Sequence, residues 1–151
     1  MFVLRVVSIF VILGMVPACA GQIDFSPKEQ REAFREARSA LQRGDLTSFE
    51  RLSKGLEGYI LYPYLRYAFL KRYIGSRVTH QDVTDFLEQW GDLPVAGRLR
   101  DAWLNKLAER SQWLRYLQLF EPDRNSRRAC FQARALLETH EKARAMRMAE
   151  R

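Results

Sequence analysis

The stretch Tyr59–Tyr67, which reads YILYPYLRY, carries the side chains best suited to contacting a ligand. It places four tyrosines and a proline within nine residues. Phenol rings offer flat faces for stacking and a hydroxyl for hydrogen bonding, and a guanidinium can pair with an anionic group. Tyr62, Tyr64, Arg66 and Tyr67 are therefore candidates for contacting sugar rings or nucleic-acid bases.

The same stretch could instead be a packed joint between two pairs of helices. Pro63 suits the first turn of a helix, and its ring favours an extended backbone at Tyr62. Tyr64 and Tyr67 would then lie on one side of that helix, while Leu65 packs toward the preceding helices. The residues leave both interpretations open, and we favour packing as the main role.

Other side chains with catalytic or metal-binding chemistry are scattered. His80 and His140 fall on separate predicted turns without a metal-ligating neighbour, so we expect both to be structural and expect no metal or cofactor. Glu29, Glu32 and Glu36 lie on the predicted outer face of the first helix, where water keeps carboxyl groups ionised. We therefore expect no catalytic residue among them.

Signals for helix starts and ends recur along the chain. Ser26, Pro27 and Glu29 form a capping box with proline at the first helical position, and Gly44 is a left-handed helix end. Thr79 is expected to cap a helix that ends at Gly91. Other helices are expected over about 47–56 and 63–74, from Pro94, after a cap at Ser111, and from Asn125.

These helices follow a period. The expected turns inside successive hairpins fall near Gly44, Gly75, Ser111 and His140, which are 31, 36 and 29 residues apart. A two-helix repeat of about 30–35 residues is typical of an α-solenoid. No stretch alternates like a strand, so we predict an all-α, right-handed α-solenoid of helical hairpins. Its last predicted pair stops within the second helix, which suggests truncation at the C-terminus.

The first 20 residues resemble a signal peptide. Arg5 precedes an apolar run of about eleven residues, too short to span a bilayer comfortably, and cleavage is expected after Ala20. The alternatives are a lipoprotein in which Cys19 is lipidated, the case in which we expect membrane attachment, and an uncleaved membrane anchor, which we favour least. All three interpretations export residues 21–151, most simply to a bacterial periplasm. In that oxidising compartment Cys130 is either buried and inert or half of a disulfide whose partner lies outside the chain.

Composition and charge fit one folded helical domain. The chain has 151 residues, of which 47% are apolar and 28% charged, enough for one core but not several. Residues 1–20 contain one arginine and no acid, so residues 21–151 carry 24 basic and 18 acidic side chains, a net charge of +6. That charge could attract an anionic polymer, but it is spread along the chain, and a basic solvated surface explains it equally well.

Three segments resemble the N-terminal superhelical, U-shaped region of soluble lytic murein transglycosylases, from about Phe25 onward. They are LEGYILYPYLRYAFL, VTDFLEQWGDLPVAGRLRDAWLNKLAERSQWLRYLQLF and CFQARALLE. The resemblance implies an enzyme family that cuts peptidoglycan glycan strands and leaves a 1,6-anhydro sugar. The family's catalytic glutamate lies in a lysozyme-like domain, where serine follows it. No Glu-Ser pair occurs in this chain, so no catalytic residue is carried over, and no activity is expected from it alone.

The resemblance sharpens the functional prediction. Tyr62, Tyr64, Arg66 and Tyr67 become possible contacts to glycan strands, held weakly, and Cys130 resembles a family cysteine that pairs further downstream. A catalytic domain or a cell-wall protein is a possible partner. The alternative is an exported helical-repeat scaffold for protein–protein interaction. Nucleic-acid binding is not expected, because the chain has an export signal and no recognised motif for it.

Overall fold

The computed structural model describes residues 26–122 and 124–139, and the regular secondary structure in this part of the chain is all α-helix. It contains seven α-helices and no strand, which confirms the predicted all-α class. The helices are α1 (Pro27–Arg43), α2 (Leu46–Lys54), α3 (Tyr62–Tyr73), α4 (His80–Trp90), α5 (Pro94–Glu109), α6 (Trp113–Leu119) and α7 (Ser126–Glu138).

The predicted capping signals set the ends of α1. The backbone N–H of Ser26 donates to the Glu29 carboxylate at 2.8 Å, and the Glu29 N–H donates back to the Ser26 hydroxyl at 3.4 Å. Pro27 occupies the first turn, where no intrahelical donor is needed. Gly44 ends the helix with φ at +78°. All three predictions for this helix are confirmed.

The prediction that Ser111 caps α6 is wrong, because Ser111 belongs to the end of α5. Its φ is +52°, its N–H donates to the Ala108 carbonyl at 3.1 Å, and the Gln112 N–H donates to the Leu107 carbonyl at 2.9 Å. This pair of bonds is a Schellman motif, which satisfies carbonyls at a helix end. Gln112 is instead the residue preceding α6, and its side chain makes no capping bond.

The same turn ends α1. The Gly44 N–H donates to the Leu41 carbonyl at 3.1 Å, and the Asp45 N–H donates to the Ala40 carbonyl at 3.0 Å. The sequences ALQRGD and LAERSQ therefore form equivalent turns inside two helical hairpins. Their similarity in sequence corresponds to a repeated local structure.

Two apolar clusters form the core, and α3 contributes to both. The smaller cluster joins α1 and α2 to Leu65, and the larger extends from Leu70 of α3 to Ala135 of α7. Phe69 packs against both clusters, and its ring stacks on that of Phe49 with 5.2 Å between centroids. α3 thus contributes side chains to both clusters and joins them.

Helix contacts are between near neighbours in the chain. α1 packs on α2, α3 on α4, and α5 on α6, while α3 also contacts α1 and α5. α5 also contacts α4, and α6 contacts α7. Within the described ranges, no helix combines the length and apolar character that crossing a membrane would require. The predicted signal peptide, Cys19, His140 and the second helix of the last pair lie outside the described residues.

Candidate functional site

The tyrosine-rich stretch enters α3 through a series of tight turns. The N–H groups of Leu56, Tyr59 and Tyr62 each donate to the carbonyl three residues earlier, at 3.0, 2.8 and 2.8 Å. Tyr62 is consequently the first residue of α3, and the prediction of an extended backbone at Tyr62 is wrong. The preference imposed by Pro63 is small enough to be outweighed by these turn bonds and by packing of the Tyr62 ring.

The four predicted contact residues do not share one site. Tyr62 and Arg66 lie one helical turn apart and line the same cleft. Tyr67 packs against the larger core cluster, and the Nζ of Lys71 lies 5.9 Å from its ring centroid. Tyr64 is 39% exposed and does not line the cleft. The predicted packing role thus applies to Tyr67 and also to Tyr62, which packs against the smaller core cluster. Tyr62 and Arg66 in addition line the cleft.

The cleft lies between the α2–α3 loop, α3 and α4 and has a volume of about 450 Å³. This size is within the range of small-molecule sites. The lining residues combine aromatic rings with carboxylates, an amide and a guanidinium; they are Glu57, Tyr62, Arg66, Asp82, Asp85, Phe86, Gln89 and Trp90. We call it the aromatic cleft.

Sequence reasoning missed the α4 side of the aromatic cleft. Asp82, Asp85 and Gln89 follow the three- and four-residue spacing of one helix face, next to Trp90. That stripe is visible in the sequence, but only the packing of α4 on α3 brings it opposite Tyr62.

The aromatic wall of the cleft is held rigidly. The rings of Tyr62 and Trp90 meet edge to face, with 5.9 Å between centroids and 68° between planes. Trp90 also packs on Phe86, with centroids 5.2 Å apart, and Phe86 is only 1% exposed. This arrangement gives a bound ring a fixed apolar surface, and fixed surfaces reduce the entropy lost on binding.

Asp82 and Arg66 supply the charged part of the cleft. The Arg66 guanidinium donates to Asp82 at 2.9 Å, and the N–H and hydroxyl of Thr79 donate to the same carboxyl at 2.9 and 2.7 Å. Burial alone would raise the pKa of Asp82, but the bonds from Thr79 and the charge of Arg66 lower it below its usual value. Asp82 is thus an ionised hydrogen-bond acceptor near neutral pH and cannot act as a general acid there.

Tyr62 supplies a neutral donor. Burial raises the pKa of its phenol; the Arg66 charge opposes this rise and the Glu57 charge adds to it. The hydroxyl therefore keeps its proton at neutral pH. With Asp82, Asp85 and Gln89 as acceptors, the cleft can bind a ligand rich in hydroxyl and amide groups.

The remaining predicted residues lie elsewhere. His80 is the first residue of α4, and its Nδ1 accepts a hydrogen bond from the Trp103 indole at 3.0 Å, as expected for a structural role. Glu29, Glu32 and Glu36 are exposed on α1, as predicted. Among the described residues, no cluster of three or more His, Cys, Asp or Glu side chains could hold a metal ion.

Cys130 is an exposed free thiol. The interpretation of a buried, inert cysteine is therefore wrong. Pairing of Cys130 with a cysteine outside the chain stays a prediction.

Comparison with known proteins finds relatives of one kind. The chain is 33% identical over 99 residues to the soluble lytic murein transglycosylase of Escherichia coli strain K12, covering 64% of this chain and 15% of that relative. The protein of the same name from Salmonella typhimurium strain LT2 is 33% identical over 102 residues, covering 66% of this chain and 15% of its own length.

No family model matches the chain, and no solved structure gives a significant match. The chain spans about 15% of the length of the curated relatives it matches. The resemblance predicted from the sequence motifs is confirmed: the chain is similar to soluble lytic murein transglycosylases, and the match supports the N-terminal region of that family.

Proposed function

We propose that this chain is a non-catalytic helical-repeat segment that holds murein glycan strands in the aromatic cleft. The chain acts in the bacterial periplasm. Its partners are glycan strands, together with a downstream catalytic domain or a cell-wall protein. The observation that carries the proposal is the lining of the cleft, in which a rigid Tyr62–Trp90 wall faces ionised and amide acceptors.

The chemistry of murein glycan matches this lining. Its sugars present hydroxyl and N-acetyl groups, together with apolar C–H faces. Hydroxyl groups donate well to carboxylates such as Asp85, while C–H faces pack on aromatic rings. A polar lining is poorly suited to the apolar face of a helix or peptide, which argues against the alternative of a protein–protein scaffold at this site.

Helix stacking supports a superhelix of hairpins as the scaffold. α1, α3 and α5 are the first helices of successive hairpins, and each contacts the next. The repeated turns at Gly44 and Ser111 and the two core clusters that share α3 are expected if every hairpin packs on its neighbours. The right-handed sense follows from the family resemblance.

Binding is tested with insoluble murein and matched variants of α4. Asp85→Ala combined with Gln89→Ala removes two exposed cleft acceptors, whereas Glu88→Ala changes an exposed residue of the same helix that does not line the cleft. We expect the double variant to be retained at least fivefold less than the unchanged chain and the control to be retained equally. The contribution of the aromatic cleft should persist at high salt, because its contacts are largely to uncharged sugar groups.

Equal retention of all three proteins, or retention no better than on an inert polysaccharide, would refute the proposal. A second measurement addresses the lack of catalysis. Incubating the purified chain with murein sacculi should release no anhydro-muropeptides, and their release would show an activity that the proposal denies.

A further inference from the structure

A second cleft, of about 400 Å³, lies on the other side of the α4 start. Its lining includes His80 and Gln81 from α4, Trp103 from α5, and Arg110, Gln112 and Arg115 from the α5–α6 turn and α6. Among the described residues, the lining contains no acidic side chain and shares none with the aromatic cleft. We call it the basic cleft.

The two arginines of the basic cleft keep free hydrogen-bonding capacity. Arg110 donates to the Gly75 carbonyl at 2.7 Å, and Arg115 donates to the Gln112 side-chain oxygen at 3.2 Å. Within the described part of the chain, neither guanidinium is paired with a carboxylate. Each has five donors, so both can still bind an anionic group.

Neighbouring acids compensate this positive character only in part. Glu109, which is adjacent to Arg110 in sequence, forms an ion pair with Lys106, and the charge of Arg110 also acts on Glu109 and contributes to lowering its pKa. The pKa of His80 is lowered, first by burial and then by the positive charge of Arg115, which is a second sign of positive potential at the cleft. His80 therefore stays neutral near pH 7 and keeps accepting from Trp103.

We propose that the basic cleft binds a carboxylate presented by the short peptides attached to the murein glycan. Arg110 and Arg115 pair with the carboxylate, and the edge of Trp103 and the Gln112 amide complete the site. This inference rests on the proposed function, because it assumes a glycan strand in the aromatic cleft.

The two clefts use adjacent residues at the start of α4, Gln81 in the basic cleft and Asp82 in the aromatic cleft. A peptide of four or five residues extends about 13–18 Å. We expect a peptide attached to a sugar in the aromatic cleft to reach the basic cleft, and occupying both sites at once would raise the overall affinity.

The test uses the full chain and the probe N-acetyl-dialanine, with either a free C-terminal carboxylate or a C-terminal amide. Binding is followed by NMR at the Trp103 indole N–H, which reports locally on the cleft. We expect the carboxylate to bind at least tenfold more tightly than the amide. Arg115→Gln should weaken it at least fivefold, and the matched control Arg98→Gln, an exposed arginine of α5, should leave it unchanged.

Equal binding of carboxylate and amide, or no loss with Arg115→Gln, would overturn the assignment. Inorganic phosphate binding more tightly than the peptide carboxylate would overturn it too, since the cleft would then be a general anion site. Gln89→Ala alone separates the two proposals, because Asp85 accepts a hydrogen bond from Gln81 of the basic cleft at 2.6 Å, whereas Gln89 lines only the aromatic cleft. It should weaken glycan retention and leave N-acetyl-dialanine binding unchanged, so each site can fail independently of the other.

Discussion

The indole N–H of Trp103 donates a hydrogen bond to Nδ1 of His80 at 3.0 Å. It joins the middle of α5 to the first residue of α4, at the start of the helix that carries both clefts. Trp103 is only 2% exposed, so the bond forms at the edge of the core. A proton on Nδ1 would remove this acceptor.

Stability should therefore fall in mild acid. The pKa of His80 is lowered by burial and by Arg115, so the unfolded chain takes up a proton near the ordinary value of about 6.5 while the folded chain does not. The stabilisation is complete above that value and is lost as pH falls toward the lower folded pKa. His80→Gln should flatten the pH dependence of the unfolding free energy between pH 7.5 and 5.

The measurement is urea unfolding of both proteins at several pH values. Parallel curves for His80→Gln and the unchanged chain across this range would show that His80 contributes nothing to the pH dependence.

The cap of α4 should be worth about as much as a typical N-cap. Thr79→Ala removes the hydroxyl that pairs with Asp82 and is expected to cost about 1 kcal/mol. Asp82→Ala should cost more, because it also breaks the bond from Arg66. Chemical unfolding at pH 7 measures both losses, and the exposed α4 residue Glu88, replaced by Ala, is the control.

The lowered pKa of Asp82 gives this cap its own pH dependence. The carboxylate stabilises the fold above its unfolded value of about 3.9, and the contribution disappears as pH falls through the lower folded value. If Asp82→Ala cost the same at pH 2 as at pH 7, the ionised carboxylate would not be the stabilising form.

Local signals were enough to predict most helices, but not the aromatic cleft. The ends of α1 depend on Ser26, Glu29 and Gly44, all within a few residues of the bonds they make. The prediction of a cap at Ser111 is wrong because serine is a common cap, whereas the Schellman bonds at this turn depend on the preceding helix. The pairing of Tyr62 with Trp90 could not be predicted, since it depends on how α3 and α4 pack.

Substitutions at the two Schellman turns should have opposite effects on the stability of the fold. Gly44 has φ at +78°, so Gly44→Ala should destabilise the fold by about 1 kcal/mol. Ser111 holds a similar left-handed conformation at +52° without being glycine. Ser111→Gly should stabilise by about 0.5 kcal/mol, because relief of backbone strain exceeds the added entropy of the unfolded chain.

Gly97 is the control for the effect of glycine itself. It lies within α5, and a Cβ there would meet open space, so Gly97→Ala should stabilise by about 0.5–1 kcal/mol. Thermal unfolding of Gly44→Ala, Ser111→Gly and Gly97→Ala shows whether each substitution raises or lowers stability. Loss of stability in Ser111→Gly would mean that the serine side chain contributes more than its backbone strain costs.

Packing in the larger core cluster should dominate the stability of the fold. Leu99 is fully buried between α5 and its neighbours, and Leu99→Ala is expected to cost about 2–5 kcal/mol, because it removes apolar contacts and leaves a cavity. Leu114→Ala deletes the same atoms from a side chain that is 68% exposed, and the change should stay within about 0.5 kcal/mol. Urea unfolding of Leu99→Ala and Leu114→Ala measures the effect of burial on the unfolding free energy, since the chemical change is identical in the two variants. Similar losses at both positions would mean that Leu114 is covered in solution, as it would be if another segment or chain packed on α6.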